Sequence, residues 1–431
     1  MSPLFIHASA SDTLIWHQGE KITRGGFTHA ARQLAARLPQ ATHAINLCNG
    51  RLAFMLGFAA AALRQQVTLL PPNQTAVALE ALKQQYPLHQ VLDDTLLEGL
   101  DWKNVDNNPL LIPSADHIAA ILFTSGSTGV PQPQAKSWYT LLRTGQLDSQ
   151  RLLQLSTSSD IALNTLNIVA TVPSQHMFGL QTTLLLPLAS NCAVYDGKPF
   201  FPADIRAALE SVPEPRALVT TPLHLQTCIT SKTSLPRMQF ILSATAPLNA
   251  TLAQQAEDQW QTSVLEFYGS TEAGAIGTRR TTAGDTWQLL PEARLEITND
   301  GTRYYIPHLP EPLPLNDQVE LVSMHEFRLL GRAGDQLKIA GKRASISELT
   351  HALQTIPGVE DGVVFLPPDA SRTAALAVAP RLTAAFILDQ LAQRVDPVFL
   401  PRPLLLLSRL PRNDVGKLTQ AALLAALESG S

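Results

Sequence analysis

The chain has 431 residues, 45% of them hydrophobic and 16% charged, a globular composition too long for one ordinary hydrophobic core. Its 32 basic and 36 acidic side chains leave a net charge of −4, so nothing electrostatic points to nucleic acid or an anionic membrane as the main partner. The three cysteines, Cys48, Cys192 and Cys228, form neither a disulfide framework nor a zinc spacing, which fits a reducing compartment.

The opening "MSPLFIHASASDTLIW" lacks the basic and apolar regions of a signal peptide, giving the expectation of a cytoplasmic protein. "FTHAARQLAARL" carries apolar residues at helical spacing, "AINLC" reads as a short buried strand, and Arg51 to Leu63 as a second helix. That apolar helix is bracketed by Arg51 and Arg64 and is well short of the roughly 20 residues that span a bilayer, so no membrane insertion is expected. "QVTLLPP" is a strand ending at prolines. The alternation continues through "IAAILFTSG", "DIALNTLNIVATVP", "ALVTTP", "MQFILSATAPL" and "TSVLEFYGS", several of which end in small polar residues. It predicts an α/β layer architecture with largely parallel sheets, whose ligands gather at the carboxyl ends of the strands. From about Thr282 to Phe327 short strands and turns predict an antiparallel subdomain. After "LLGRAGD" come a helix near Ile346 to Ile356, strands at "VEDGVVFL" and "AALAVAP", a helix over "TAAFILDQLAQRV", a strand at "PLLLL" and a terminal helix. This is a small mobile α+β lobe of roughly 100 residues. The expected division is a large N-terminal domain, 1–331, and a C-terminal lobe, 332–431.

The stretch "ILFTSGSTGVPQPQAKSW", Ile121 to Trp138, breaks from an apolar strand into bare backbone and hydroxyls. Glycine allows close backbone approach, and several N–H groups in such a turn can point at one anion, phosphate being the natural guest. It is not the Walker pattern, because no Lys-Ser or Lys-Thr pair follows the second glycine. A second turn of small residues, "EFYGSTEAG" from Glu266 to Gly274, adds an aromatic and a carboxylate. "LLGRAGDQLKIAGKR" and "LPRNDVGKL" follow downstream. These four stretches, in this order, resemble the adenylate-forming superfamily of acyl-CoA synthetases, aryl-CoA ligases and nonribosomal-peptide adenylation domains. The N-terminal "TLIWHQGEKITRGGFTHAARQLAARL" also looks like that family's opening.

The resemblance implies ATP-dependent activation of a carboxylic acid as acyl-AMP, followed by transfer to a thiol of coenzyme A or of a carrier-protein phosphopantetheine. Phosphoryl transfer of this kind is mostly positioning and charge neutralisation, so donors, cations and a Mg²⁺ ligand are needed rather than a nucleophilic side chain. By resemblance, Thr124, Ser125, Gly126, Ser127, Thr128 and Gly129 wrap the β- and γ-phosphates. The family's lysine after the loop proline is replaced by Gln132; Lys136, four residues on, either supplies that charge or is an exposed lysine of the usual kind. Tyr268 matches the adenine-stacking aromatic, followed by Gly269 and Ser270 of the same turn. Thr271 matches the α-phosphate contact and Glu272 the Mg²⁺ ligand. Ala244 and Thr245 stand where the adenine slot more often has glycines. Asp317 and Arg332 match ribose contacts.

Lys417 matches the ammonium that stabilises charge between the attacking carboxylate and the α-phosphate. The resemblance further implies that the C-terminal lobe swings so that the strand around Gly341 lines a thiol tunnel. Gly334 replaces the first Asp usual at the hinge, and Asn316 precedes Asp317 where glycine is typical. "TVPSQHMFGLQ", Thr171 to Gln181, corresponds to the acid-binding stretch and has no acidic residue, so an α-ammonium would go unpaired there. His176, Phe178 and Gly179 match the pocket gate, with a hydrogen-bonded core histidine as the alternative for His176. With Trp138 and Tyr139 close to that pocket, an aromatic or medium acyl acid is expected. No Asp-Ser-Leu carrier motif follows, so the expected partners are a small carboxylic acid and coenzyme A or an acyl carrier protein acting in trans. Lys342 and Arg343 either meet acceptor phosphates or acidic groups or form a solvated edge. Gln132, Gly334 and Ala244 also motivate another class, a catalytically silent nucleotide-binding relative acting as a binding or regulatory module.

Overall fold

The computed structural model describes residues 2–5, 9–124, 132–155, 165–332, 336–339, 342–368, 370, 372–412 and 418–429. The chain divides into two compact units. One is Met1–Arg294 with Tyr305–Leu313; the other is Leu295–Tyr304 with Pro314–Ser431.

In the first unit a five-stranded sheet runs in the order His89–Leu92, His43–Asn46, Val67–Leu70, β1 (Ile118–Thr124), β2 (Gln132–Ser137). The first four strands are parallel and β2 returns antiparallel to β1, with Thr124 opposite Gln132. The helix Arg51–Leu63 is buried on nearly all its faces, as its unbroken apolar run demands. Helix α1 (Trp138–Leu155) follows β2 directly.

The second sheet of this unit carries the site. Its parallel core is built from Thr13–His17, Ala193–Tyr195, β3 (Asn167–Ala170), β4 (Arg216–Thr220), β5 (Phe240–Ser243) and β6 (Ser263–Ser270), neighbours in that order. Beyond β6 the strands turn antiparallel, with β7 (Gly274–Arg280) and then Thr286–Leu289. Strands β3 to β5 are buried along almost their whole length and read as continuous apolar runs, as strands of a covered parallel sheet must. Between β3 and β4, a short helix α2 (Met177–Leu180) passes through a π-helical turn, Gln181–Leu185, into the helical residues Leu186–Ala189. The parallel strands β3 to β6 end at Ala170, Thr220, Ser243 and Ser270, small or hydroxyl-bearing residues of the kind expected from sequence.

The second unit holds an antiparallel pair, β8 (Asp317–Leu321) with β9 (Glu326–Arg332), then the hairpin Gln336–Ile339 with Lys342–Ser345. A three-stranded sheet follows, Asp361–Phe365, Ala374–Val378 and Leu404–Leu406. Its residues alternate between two cores: Ala375 and Ala377 face Leu349, Leu353 and Ile387, whereas Ala374 and Leu376 face Leu410 and Leu423. Helices Ile346–Gln354, Ala384–Ala392 and Gln420–Ser429 supply those layers, at the places the periodicity predicts. Cys48, Cys192 and Cys228 are free and buried. Among the described residues no helix is long and apolar enough to cross a membrane.

Candidate active site

The ladder between β6 and β7 slips register between Tyr268 and Gly269, a bulge of the kind that re-aims side chains beside functional sites. Ser270 Oγ accepts a hydrogen bond from the Ala273 amide at 3.1 Å and closes the turn. Gly274 has φ +76°, and a Cβ there would lie 3.3 Å from Gln181 Nε2, so the turn exit fits glycine alone without strain. The outcome is that Gly269 and Ser270 are exposed and Thr271 and Glu272 half-exposed at the carboxyl edge of the sheet. The half-buried Tyr268 ring lies 5.6 Å from that of Trp287 at an interplanar angle of 57°.

Lys136, at the end of β2, is buried, and its ammonium donates to the backbone carbonyl of Glu272. Burial lowers its pKa to about 8, the Glu272 charge partly opposing the shift. The exposed-lysine alternative is thereby corrected: the side chain crosses between the elements that bear the two small-residue turns. His308 lies in the same neighbourhood. Its carbonyl accepts from Thr140 Oγ1 at 3.0 Å, and Nε2 is 3.4 Å from Thr144 Oγ1. Burial, with the Arg143 and Lys136 charges adding to it, lowers its imidazole pKa to about 4, so it is neutral at physiological pH.

The loop after β5 is held by Glu266, whose carboxylate accepts from the Leu248 amide at 3.0 Å, Arg279 Nε at 2.8 Å and Thr281 Oγ1 at 2.8 Å. Ala244 in that loop is buried, and Thr245 has φ +80°. A β-branched residue in the left-handed region is a genuine outlier. The backbone thus keeps here the conformation that glycine adopts freely.

Strand β3 leads to the stretch Thr171 to Gln181. Arg51, fully buried, donates to the carbonyls of Ala170 and, at 3.1 Å, Val172, fixing the chain as it leaves the sheet. His176 is the N-cap residue of α2 and is half-exposed; its side chain makes no capping bond. Phe178, half-buried, lies 6.3 Å from Phe267 of β6. A Cβ on Gly179 would come within 1.9 Å of the Pro173 carbonyl oxygen, so only glycine lets helix and loop approach this closely. In the π-helical turn that follows α2, Gln181 Nε2 donates to Asp148 Oδ2 of α1 at 2.9 Å. Asp148 is fully buried, and burial raises its carboxyl pKa to about 7 despite that hydrogen bond. Of the two aromatics expected near the pocket, Trp138 is a core side chain packed edge-on against Phe58 at 5.4 Å, whereas Tyr139 is exposed.

In the second unit Asp317 and Arg332 stand directly opposite one another in the β8–β9 ladder. Asp317 is half-exposed. Lys342, one of the open assignments, forms an ion pair with Asp396 and holds that carboxyl below its usual range. Ser125 to Gly129, Gly341 and Lys417 lie outside the described residues, as does Gly334; Thr124 is placed as the last residue of β1. Among the described residues no three His, Cys, Asp or Glu side chains converge as a metal cage. A single half-exposed carboxylate, Glu272, is the donor set that suits Mg²⁺ carried mainly by nucleotide phosphates and water. The signals missed in the sequence are Asp148, His308 and the buried Arg51, each a polar residue whose partner is remote in the chain.

A family model described as AMP-binding enzyme matches residues 22–311. The chain is 29% identical over 271 residues to a 4-coumarate–CoA ligase of Rhodobacter capsulatus, a match covering 61% of this chain and 65% of that protein, just under two thirds of its length. It is 26% identical over 349 residues to a 4-coumarate–CoA ligase of Halorhodospira halophila, covering 78% and 84% of the two chains. In fold it is similar to ATP-bound MatB from Rhodopseudomonas palustris, with a TM-score of 0.80 at 17% identity over 99% of this chain and 98% of the other.

Proposed function

Since the chain belongs to the AMP-binding enzyme family, we propose that it is an acid–thiol ligase that activates a carboxylic acid with ATP as acyl-AMP and passes the acyl group to the thiol of coenzyme A. The observation that carries this reading is the turn after β6, where Thr271 and Glu272 stand at the carboxyl edge of the parallel sheet with the half-buried Tyr268 beside them. Carboxyl edges are where such sheets bind nucleotides. The 4-coumarate–CoA ligases among its relatives support both the acyl-CoA chemistry and an aromatic acid.

In this reading Glu272 holds Mg²⁺, which when bound neutralises charge on the phosphates. Thr271 contacts the α-phosphate, Ser125 to Gly129 wrap the outer phosphates, and Tyr268 with Ala244 and Thr245 lines the adenine. Asp317 and Arg332, opposed in one ladder, take the ribose hydroxyls. The acid lies against His176, Phe178 and Gly179. Lys417 supplies the cation that stabilises charge as the carboxylate attacks the α-phosphorus and pyrophosphate leaves. Gly341 lines the path of the thiol. An α-amino acid is disfavoured, because the stretch Thr171 to Gln181 has no acidic residue, and Asp148, which accepts from Gln181, is buried and half-protonated near neutrality.

The test is acid-dependent exchange between ATP and pyrophosphate over a panel of aromatic, medium-chain acyl and amino acids, repeated with coenzyme A and with a purified carrier protein. Exchange with an aromatic or acyl acid and thioester formation on coenzyme A are expected. Lys417→Ala should cut exchange at least ~10²-fold. No exchange with any acid, alongside retained ATP binding, would favour the silent relative. Thioester on the carrier protein alone would move the acceptor assignment there.

A further inference from the structure

The ammonium of Lys136 lies on the backbone carbonyl of Glu272, not on open solvent. We propose that Lys136 is a positioning residue that fixes the Glu272 turn, so that the carboxylate of this residue is aimed before nucleotide and Mg²⁺ arrive. This rests on the reading of Glu272 as the Mg²⁺ ligand and deepens it, because it moves Lys136 from a direct phosphate contact to the backbone behind the metal ligand.

Three features of the structure support it. First, the bond that closes the turn, from the Ala273 amide to Ser270 Oγ, does not involve the Glu272 carbonyl, and the donor that reaches this carbonyl comes from outside β6 and β7, from Lys136 of β2. Second, the lysine is anchored at both ends. Its backbone pairs with Ala120 in the β1–β2 ladder, and its head reaches Glu272, 136 residues away in sequence. A charge-assisted bond of this kind is about twice as strong as a neutral one. Third, the groups around the ammonium leave it one carboxylate neighbour. The Glu272 charge acts on the ammonium, and the imidazole of His308 feels the charges of Lys136, Arg143 and Glu292. Glu292, the other carboxylate of the group, is paired with Arg143, and the lysine's bond is spent on the turn. Partners that orient a metal ligand typically contribute 10–100-fold to metal affinity.

The experiment compares the full-length wild type with Lys136→Met, which keeps the apolar stem and removes the head, and Lys136→Arg, which restores a cation. Two readouts are taken. One is amide hydrogen exchange of the segment 268–276 without any ligand. The other is the Mg²⁺ concentration that half-saturates binding of a fluorescent ATP analogue. Faster exchange confined to 268–276 and a half-saturating Mg²⁺ concentration raised about 10-fold in Lys136→Met, with partial recovery in Lys136→Arg, are expected. Unchanged exchange in the methionine variant would overturn the proposal, and so would faster exchange with an unchanged Mg²⁺ requirement. If wild type shows no Mg²⁺-dependent nucleotide binding at all, the ligase reading falls, while the exchange data still decide whether Lys136 positions the turn. Should the methionine variant not fold, wild type and Glu272→Gln, both with ¹⁵N-labelled lysine, give the answer: one ammonium signal protected from water exchange in wild type and shifted in Glu272→Gln supports the proposal, and its absence overturns it.

Discussion

Two buried carboxylates in the same unit have opposite surroundings. Glu266 accepts from a backbone amide, an arginine and a threonine, so both its oxygens are occupied and its charge is matched. Asp148 accepts from Gln181 alone; its Oδ1 has no partner among the described residues. The first is a clamp that ties the loop after β5 to β6 and so holds two candidate adenine-binding elements in one frame. The second is an incompletely satisfied acid that meets Gln181 at the end of the candidate acid-binding stretch, where burial favours the proton. Burial alone therefore says little about what a carboxylate does; the number of donors aimed at it decides.

The contrast can be broken first at Glu266. Glu266→Gln leaves Arg279, mostly buried and stacked 4.4 Å from the Trp287 ring, without its counter-charge. Breaking such a pair should cost about 3 kcal/mol, read from denaturant unfolding. Adenine-nucleotide affinity should fall with it as the Ala244–Thr245 loop loosens.

At Asp148 the sign should invert. Its pKa is about 7 in the folded chain against 3.8 ordinarily, so the folded state keeps a proton that the unfolded state releases between those values. Stability therefore falls as pH rises through that window, and the penalty is complete above pH 7. Asp148→Asn removes it. At pH 8 the variant should be more stable by on the order of 2 kcal/mol, the gap closing toward pH 4. A gap that widens as the solution is acidified would contradict this assignment. The smallest effect is expected at Thr245, in the loop that Glu266 holds. Thr245→Gly relieves a left-handed β-branched residue and should raise stability by about 1 kcal/mol, visible as a higher Tm.

The strand-and-turn frame was readable because it is written in local chemistry. Apolar runs with two-residue alternation or helical spacing fixed the elements, and Gly269, Ser270 and Gly274 marked the turn that interrupts them. The helix Arg51–Leu63 falls where its apolar run begins and ends. What stayed hidden depends on partners far along the chain. Lysine is ordinarily exposed, and nothing near Lys136 in sequence announces a carbonyl at Glu272. Asp148 reads as a polar spot on a helix, since its burial comes from the π-helical turn Gln181–Leu185 and the helical residues Leu186–Ala189 packing against α1. Trp138 reads as a pocket aromatic beside a phosphate loop, yet its ring is claimed by Phe58. Thr245 conceals a left-handed φ that its side chain argues against.

The excursion of the chain from Leu295 to Tyr304 and its return through Tyr305–Leu313 bear on any attempt to cut the protein apart. A truncation at Arg294 would remove His308 and strip Thr140 Oγ1 of its backbone acceptor at 3.0 Å, leaving Ser137 Oγ as its neighbour and baring a buried residue of α1. The shortest self-sufficient piece of the first unit therefore ends no earlier than Leu313, and proteases should find their productive nicks beyond it.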